Sequence, residues 1–242
     1  METKITPYKK DKTSKKEQVV KMFDAIASRY DFLNHFFSLG IDIVWRKIAI
    51  KEIAKIKPKI ILDIATGTGD LAIEASRLNP IKIIGIDISN KMLDVGREKM
   101  KKNSLEKLID MQYGDSEDLH FEENTFDAIT AGFGVRNFEN LDAGLKEMFR
   151  VMKNGGKIAI LEPTVPTFFP MKQLYTLYFK VLLPIIGKFL SKDKSAYKYL
   201  PESVSEFPSR HNFNDKLKKA GFKDPKFKSL TFGIAALYTA TK

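Results

Sequence analysis

Leu62-Asp63-Ile64-Ala65-Thr66-Gly67-Thr68-Gly69-Asp70 is the stretch on which the reading of this chain turns. It continues the apolar run that begins at Lys59-Ile60-Ile61, as a buried parallel strand requires. It leads into a helical pattern through Leu71, Ile73 and Ala75. Between the two, Gly67 and Gly69 let the backbone turn tightly and approach a ligand with no Cβ in the way. The next apolar run, residues 81–87, ends in Asp87, 18 residues beyond Gly69. A carboxylate at that neighbouring strand end can accept both hydroxyls of a ribose.

Outward from this loop, the pattern alternates. Toward the N-terminus a helix is expected over residues 17–34, broken by Ser38-Leu39-Gly40. A second helix runs through Trp45, Ile48, Ile50 and Ile53 and ends near Lys57-Pro58. Toward the C-terminus come a helix over 91–102, strands over 109–113 and 126–131, a helix over 141–152 and a strand over 157–161. Such alternation predicts a parallel sheet with helices on both faces, joined by right-handed crossovers. Residues 163–204 interrupt it with a Phe-, Tyr-, Leu- and Pro-rich helical insert. A helix over 213–220, capped by Gly221, then precedes strands over 226–232 and 235–241. Their separation suits a hairpin that adds antiparallel strands to the sheet edge. The expected architecture is thus a doubly wound, Rossmann-like α/β fold of seven strands. Residues 1–16 read as a flexible leader and 17–242 as a single domain.

The bulk numbers fit. Hydrophobic residues make up 43% of 242, enough for a sizeable core. The net charge of +11 comes from lysines scattered along the chain, so it reads as a solvated surface and not as a nucleic-acid footprint. Without cysteine there is no disulfide and no thiolate chemistry. His35, His120 and His211 lie far apart, so no metal site is expected. The most apolar region, residues 168–190, is interrupted by Lys172, Lys180 and Lys188 and falls short of the ~18 uncharged residues of a spanning helix. A cytoplasmic chain is expected, with peripheral contact at the inner face of the membrane.

The segment 67–72 also fits the Gly-x-Gly-x-x-Ala form of dinucleotide enzymes. Two features favour S-adenosyl-L-methionine instead. Asp63 stands at the strand end, where it either orients the loop or meets a cationic amino group. Gly114-Asp115-Ser116 follows the third strand, where a polar pair reaches an adenine edge. Taken singly, Asp63 could equally be a cap and Asp115 a strand-exit turn. Four such signals at successive strand ends favour a methyltransferase over a nicotinamide-dependent oxidoreductase. An RNA methyltransferase would need a basic, aromatic stripe that is not seen.

Four further blocks carry a family resemblance over residues 19–241. They are Phe23-Asp24-x-Ile26-Ala27-x-x-Tyr30-Asp31-x-x-Asn34 with Ser38-Leu39-Gly40 and Trp45; Phe126-Asp127-Ala128-Ile129-Thr130 with Phe133-Gly134-Val135-Arg136-Asn137; Tyr197-Lys198-Tyr199-Leu200-x-x-Ser203; and Phe207-Pro208. With the glycine loop, they resemble the ubiquinone/menaquinone biosynthesis C-methyltransferase family. The resemblance implies a class I methyltransferase sheet and C-methylation of a prenylated quinol, demethylmenaquinol to menaquinol. By motif position it implies cofactor contacts from Thr66, Asp87, Asp115 and Ser116, beside Gly67 and Gly69. Gly132 departs from the family pattern, which has serine there.

The chemistry narrows the rest. A ring carbon becomes nucleophilic when a neighbouring hydroxyl ionises, so the site must stabilise a phenolate. Arg136 is a fixed cation suited to that role, Asn137 can fix the ring oxygen or a water, and Tyr30 can line the pocket or relay a proton. Against these stand plainer roles: a surface ion pair, a helix cap and core packing. Phe168, Phe169, Leu174, Tyr175, Tyr178, Phe179, Leu182, Leu183 and Ile186 of the insert suit a prenyl tail, an anionic membrane surface or a homodimer face.

Overall fold

The computed structural model describes residues 5–178 and 194–242. Its centre is a seven-stranded sheet in the order β3-β2-β1-β4-β5-β7-β6. The strands are β1 (Ile60–Ile64), β2 (Lys82–Asp87), β3 (Ile109–Tyr113), β4 (Phe126–Gly132), β5 (Met152–Pro163), β6 (Lys223–Leu230) and β7 (Ala235–Thr241). β1 pairs in parallel with β2 and β4, and the chain's order reverses between them. That switch point is where open α/β sheets bind ligands.

Alternating side chains of the buried strands feed two cores. Leu62, Ile64, Ile129 and Ile158 face Leu145 and Met148 of helix α6 (Leu141–Val151) and Phe213 of helix α9 (His211–Lys219). Ile61, Ala128 and Ala159 face Ala49 and Ile53 of helix α3 (Ile41–Ile53) and Leu71 of helix α4 (Asp70–Ser76). Helix α5 (Asn90–Lys102) packs on the β3 side. This period-two sorting is why continuous apolar strands require helices on both faces.

The terminal hairpin forms at the sheet edge, as expected. β7 lies inside, antiparallel to both β5 and β6, so β6 at the edge runs with the parallel strands. The cause is composition: Ala235-Ala236-Leu237-Tyr238 is wholly buried, whereas β6 carries lysines and is largely exposed. Thr231, Phe232 and Gly233 all adopt positive φ in the turn between them.

The helix expected over 17–34 is two. Helix α1 (Lys15–Ile26) starts earlier, because Ser14 and Glu17 form a reciprocal capping box. A turn over Ala27–Arg29 separates it from helix α2 (Tyr30–Phe37). Two tethers fix the bend: Asp24 accepts from the Ser89 hydroxyl and Asp31 from that of Thr68. Ile5 and Tyr8 pack on Val19, Met22 and Tyr199, and the Tyr8 N–H reaches Gln18 Oε1 at 2.9 Å. Residues 1–4 lie outside the described residues. Within the insert stand helix α7 (Met171–Leu177) and helix α8 (Lys194–Glu206). Phe179, Lys180, Leu182, Leu183, Ile186 and Lys188 lie outside the described residues.

Candidate active site

The glycine loop is held from beneath. Thr66 donates its N–H to the Ile86 carbonyl at 2.9 Å, clamping β1 to β2. Asp63 is fully buried and accepts from the hydroxyls of Thr66 and Thr130, each at 2.6 Å. Both its oxygens are engaged by protein. Of the two roles open to it, Asp63 therefore orients the loop, and burial pushes its carboxyl up to about 6.

Above the loop, Asp87 Oδ2 accepts the Gly67 N–H at 2.9 Å and Oδ1 the Ser89 N–H at 2.8 Å. Loss of water in the cleft raises Asp87 to about 6, against those two N–H bonds. Across the cleft, Asp115 accepts from Lys16 and from the Glu117 N–H. Gly67, Asp87, Asp115, Ser116, Tyr30 and Asn137 line this one cleft. Thr66 and Gly69 do not. The Thr66 hydroxyl points down to Asp63, and Gly69 (φ +85°) is the residue from which α4 starts. Gly134 closes the far wall, where a Cβ would stand 2.4 Å from that of Ala65.

This cleft fits S-adenosyl-L-methionine. Asp87 offers lone pairs to vicinal hydroxyls, and Asp87 and Asp115 give a field suited to a sulfonium. A pyrophosphate fits poorly. The start of α4, where it would sit, carries Asp70, and Asp31 takes the Thr68 hydroxyl at 2.5 Å. Lys99 is already held between Asp31 and Asp70.

Tyr30, Phe23, Phe133 and Asn137 are shared with a second cavity of about 510 Å³. Its walls are mainly apolar, from Met22, Leu33, Phe37, Trp45, Leu174 and Ile234 among others. Arg136 reaches it from the short helix Val135–Asn137 after β4. Its Nη1 donates to the Phe133 carbonyl and lies 3.0 Å from Glu162 Oε2. Glu162 is fully buried at the end of β5 and also accepts the Val135 N–H at 2.6 Å. Burial raises its pKa against the pull of Arg136. Arg136 Nε is buried and has no acceptor among the described residues. The Asn137 Oδ1 accepts from the Tyr199 hydroxyl at 3.1 Å. Burial pushes Tyr30 and Tyr199 up to about 12, so both hydroxyls stay protonated near neutrality.

Sequence reasoning missed Glu162, Asp31 and Lys16. Glu162 had a signal, since it ends the apolar run Ile158-Ala159-Ile160-Leu161 with a charge. Asp31 stands beside Tyr30 in the family block that opens at Phe23, whereas Lys16 had no signal, because its partner is distant in sequence.

Comparison with known proteins agrees with this geometry. The ubiE/COQ5 methyltransferase family profile matches residues 11–242. The demethylmenaquinone methyltransferase of Bacteroides fragilis is 52% identical over 99% of this chain and 98% of its own length. A ubiquinone/menaquinone biosynthesis C-methyltransferase UbiE of Geotalea daltonii is 47% identical over 95% and 98%. Among solved structures, a SAM-dependent methyltransferase from Aquifex aeolicus superposes with a TM-score of 0.61, covering 92% of this chain and 96% of that one at 18% identity. The [4+2]-cyclase SpnF does so at 0.63, covering 94% and 96% at 16% identity, which speaks to the fold alone. With the match spanning nearly every residue of the sheet, cleft and cavity, the chain belongs to the ubiE/COQ5 methyltransferase family and is an S-adenosyl-L-methionine-dependent methyltransferase.

Proposed function

We propose that this chain methylates a ring carbon of a prenylated quinol, with demethylmenaquinol as substrate and menaquinol as product. One observation carries the reading: a mainly apolar cavity of about 510 Å³ adjoins the cofactor cleft and holds a buried guanidinium. The names of the relatives from Bacteroides fragilis and Porphyromonas gingivalis support the naphthoquinol nucleus.

When bound, S-adenosyl-L-methionine supplies an electrophilic methyl group. The chain supplies orientation and charge. Arg136 presents its free Nε–H to a ring oxygen and favours the ionised form, which raises electron density at the adjacent carbon. Glu162 fixes the guanidinium without entering the cavity lining. Asn137, oriented by Tyr199, stands where cleft and cavity meet. Tyr30 stays protonated and acts as a donor, not as a base. The apolar walls exclude water, so each of these dipoles acts in a low dielectric.

The same reading extends to the membrane. Phe168, Phe169, Leu174 and Leu177 are exposed beside Lys172. Among the described residues no helix is long and apolar enough to cross a bilayer. Reversible contact with the anionic inner face would deliver a lipid-soluble quinol to a cytoplasmic enzyme, and in this reading the apolar rim meets lipid and not a second subunit. Mass spectrometry of quinones tests the substrate. Cells lacking the protein accumulate demethylmenaquinone if the reading holds, and an unchanged quinone profile rejects it.

A further inference from the structure

Two residues that line the large cavity each carry a buried donor without an acceptor among the described residues: Arg136 Nε and Asn34 Nδ2. They reach it from different elements. Arg136 comes from beyond β4, and Asn34 from α2, one turn after Tyr30. Tyr30, Leu33, Asn34 and Phe37 all line the cavity, so this stripe at helical spacing is the α2 wall. Within it, Asn34 is the one amide. A buried donor left without an acceptor is costly, and neither nitrogen finds one among the described residues. A ligand with a single oxygen would satisfy one of the two donors and leave the other bare.

We infer that Asn34 is a specificity-determining residue that donates a hydrogen bond to the second ring oxygen of the acceptor, the one across the ring from the oxygen at Arg136. The site thereby selects rings with two para oxygens over monohydroxy aromatics of equal bulk. A binding wall that offers a polar partner rejects the analogue lacking the matching atom, because its own donor is then stranded. This inference rests on the quinol reading above.

The sole tryptophan gives a readout independent of turnover. Trp45 lines the cavity, so a bound naphthol ring quenches its fluorescence. Two probes suffice: a short-tailed prenylated naphthoquinol kept reduced, and the monohydroxy analogue that retains only the hydroxyl beside the acceptor carbon. Wild type should bind the quinol about 10- to 100-fold more tightly than the analogue, the scale of one hydrogen bond in a dry site. Asn34→Leu and Asn34→Asp should lose that factor on the quinol and little on the analogue. Asn34→Leu should melt no lower than wild type, since it removes a stranded donor. Equal losses on both probes, or none on either, would overturn the inference. Methyl transfer is scored separately: tight, Asn34-dependent quinol binding without methylation would reject the quinol C-methylation reading and leave Asn34 in place.

Discussion

Arg136 Nη1 lies 3.0 Å from Glu162 Oε2, and the other oxygen of that carboxylate accepts the Val135 N–H. The cation that faces the cavity is thus fixed by a residue at the end of the next strand. Removing one member of a buried pair strands the other charge, at a cost of about 3 kcal/mol. Glu162→Gln should therefore lower the urea-unfolding free energy by roughly that amount. Turnover should fall at least about tenfold, with cofactor affinity unchanged. Combining it with Arg136→Met should recover part of the stability and none of the activity. If Glu162→Gln melts and turns over like wild type, the pair is dispensable.

If Asp87 holds the ribose, cofactor binding should depend on pH. Burial pushes its carboxyl up to about 6, and the ionised form is the one that accepts two hydroxyls. Calorimetry should show S-adenosylhomocysteine binding about tenfold more weakly at pH 5 than at pH 8. The ligand-free protein should slope the other way. A folded pKa above the unfolded 3.8 favours folding below that value, and the advantage is lost as pH rises toward 6. Asp87→Ala should weaken binding by roughly 1.5–3 kcal/mol and flatten its pH profile. NAD should not bind, given Asp70 at the start of α4 and Asp31 of α2 on the Thr68 hydroxyl beside it; tight NAD binding would reject the cleft assignment.

Gly134 tests the contact between the two signature loops. A Cβ there would meet that of Ala65 at 2.4 Å, so Gly134→Ala must push the glycine loop aside. A loss of about 1–3 kcal/mol in stability and weaker S-adenosylhomocysteine binding are expected. A variant with unchanged affinity and melting point would show that the loops are not locked together.

Much of this was readable beforehand, for a physical reason. Residues 60–64, 82–87 and 126–132 are buried on both faces, so their continuous apolar runs announce a parallel sheet. Such sheets bind ligands at their strand ends, which is why Gly67, Asp87, Asp115 and Arg136 were expected there; the first three line the cleft and Arg136 the adjoining cavity. What was not readable depends on distant partners. The Thr66 hydroxyl reads as available in the sequence, yet it donates to Asp63 below, whose other oxygen is taken by Thr130. The kink at Ala27–Arg29 follows from tethers to Ser89 and Thr68, which no local pattern encodes. The order of β6 and β7 follows burial, with the lysine-free, largely buried strand taking the inner place.

Membrane contact should be electrostatic as well as apolar. The exposed Phe168 and Phe169 adjoin Lys172, and exposed charges are screened by salt. Sedimentation with phosphatidylglycerol vesicles should capture the protein at low ionic strength and release it as salt rises. Phe169→Ser should weaken capture without slowing methylation of a short-tailed, water-soluble quinol. Identical sedimentation with and without vesicles at low salt would remove the membrane from the account.

If Arg136 stabilises the ionised ring oxygen during methyl transfer, its removal must slow that step. Single-turnover methylation of demethylmenaquinol by Arg136→Ala, at saturating cofactor, measures it directly. The rate should fall about 100-fold or more, the scale of losing one strong electrostatic stabiliser. Arg136→Lys should recover part of it, because a point charge lacks the planar fork. Raising the pH should restore more, by ionising the quinol in solution. S-adenosylhomocysteine affinity should hold, since Asp87 and Asp115 are untouched. An Arg136→Ala enzyme that methylates at the wild-type rate would contradict the account.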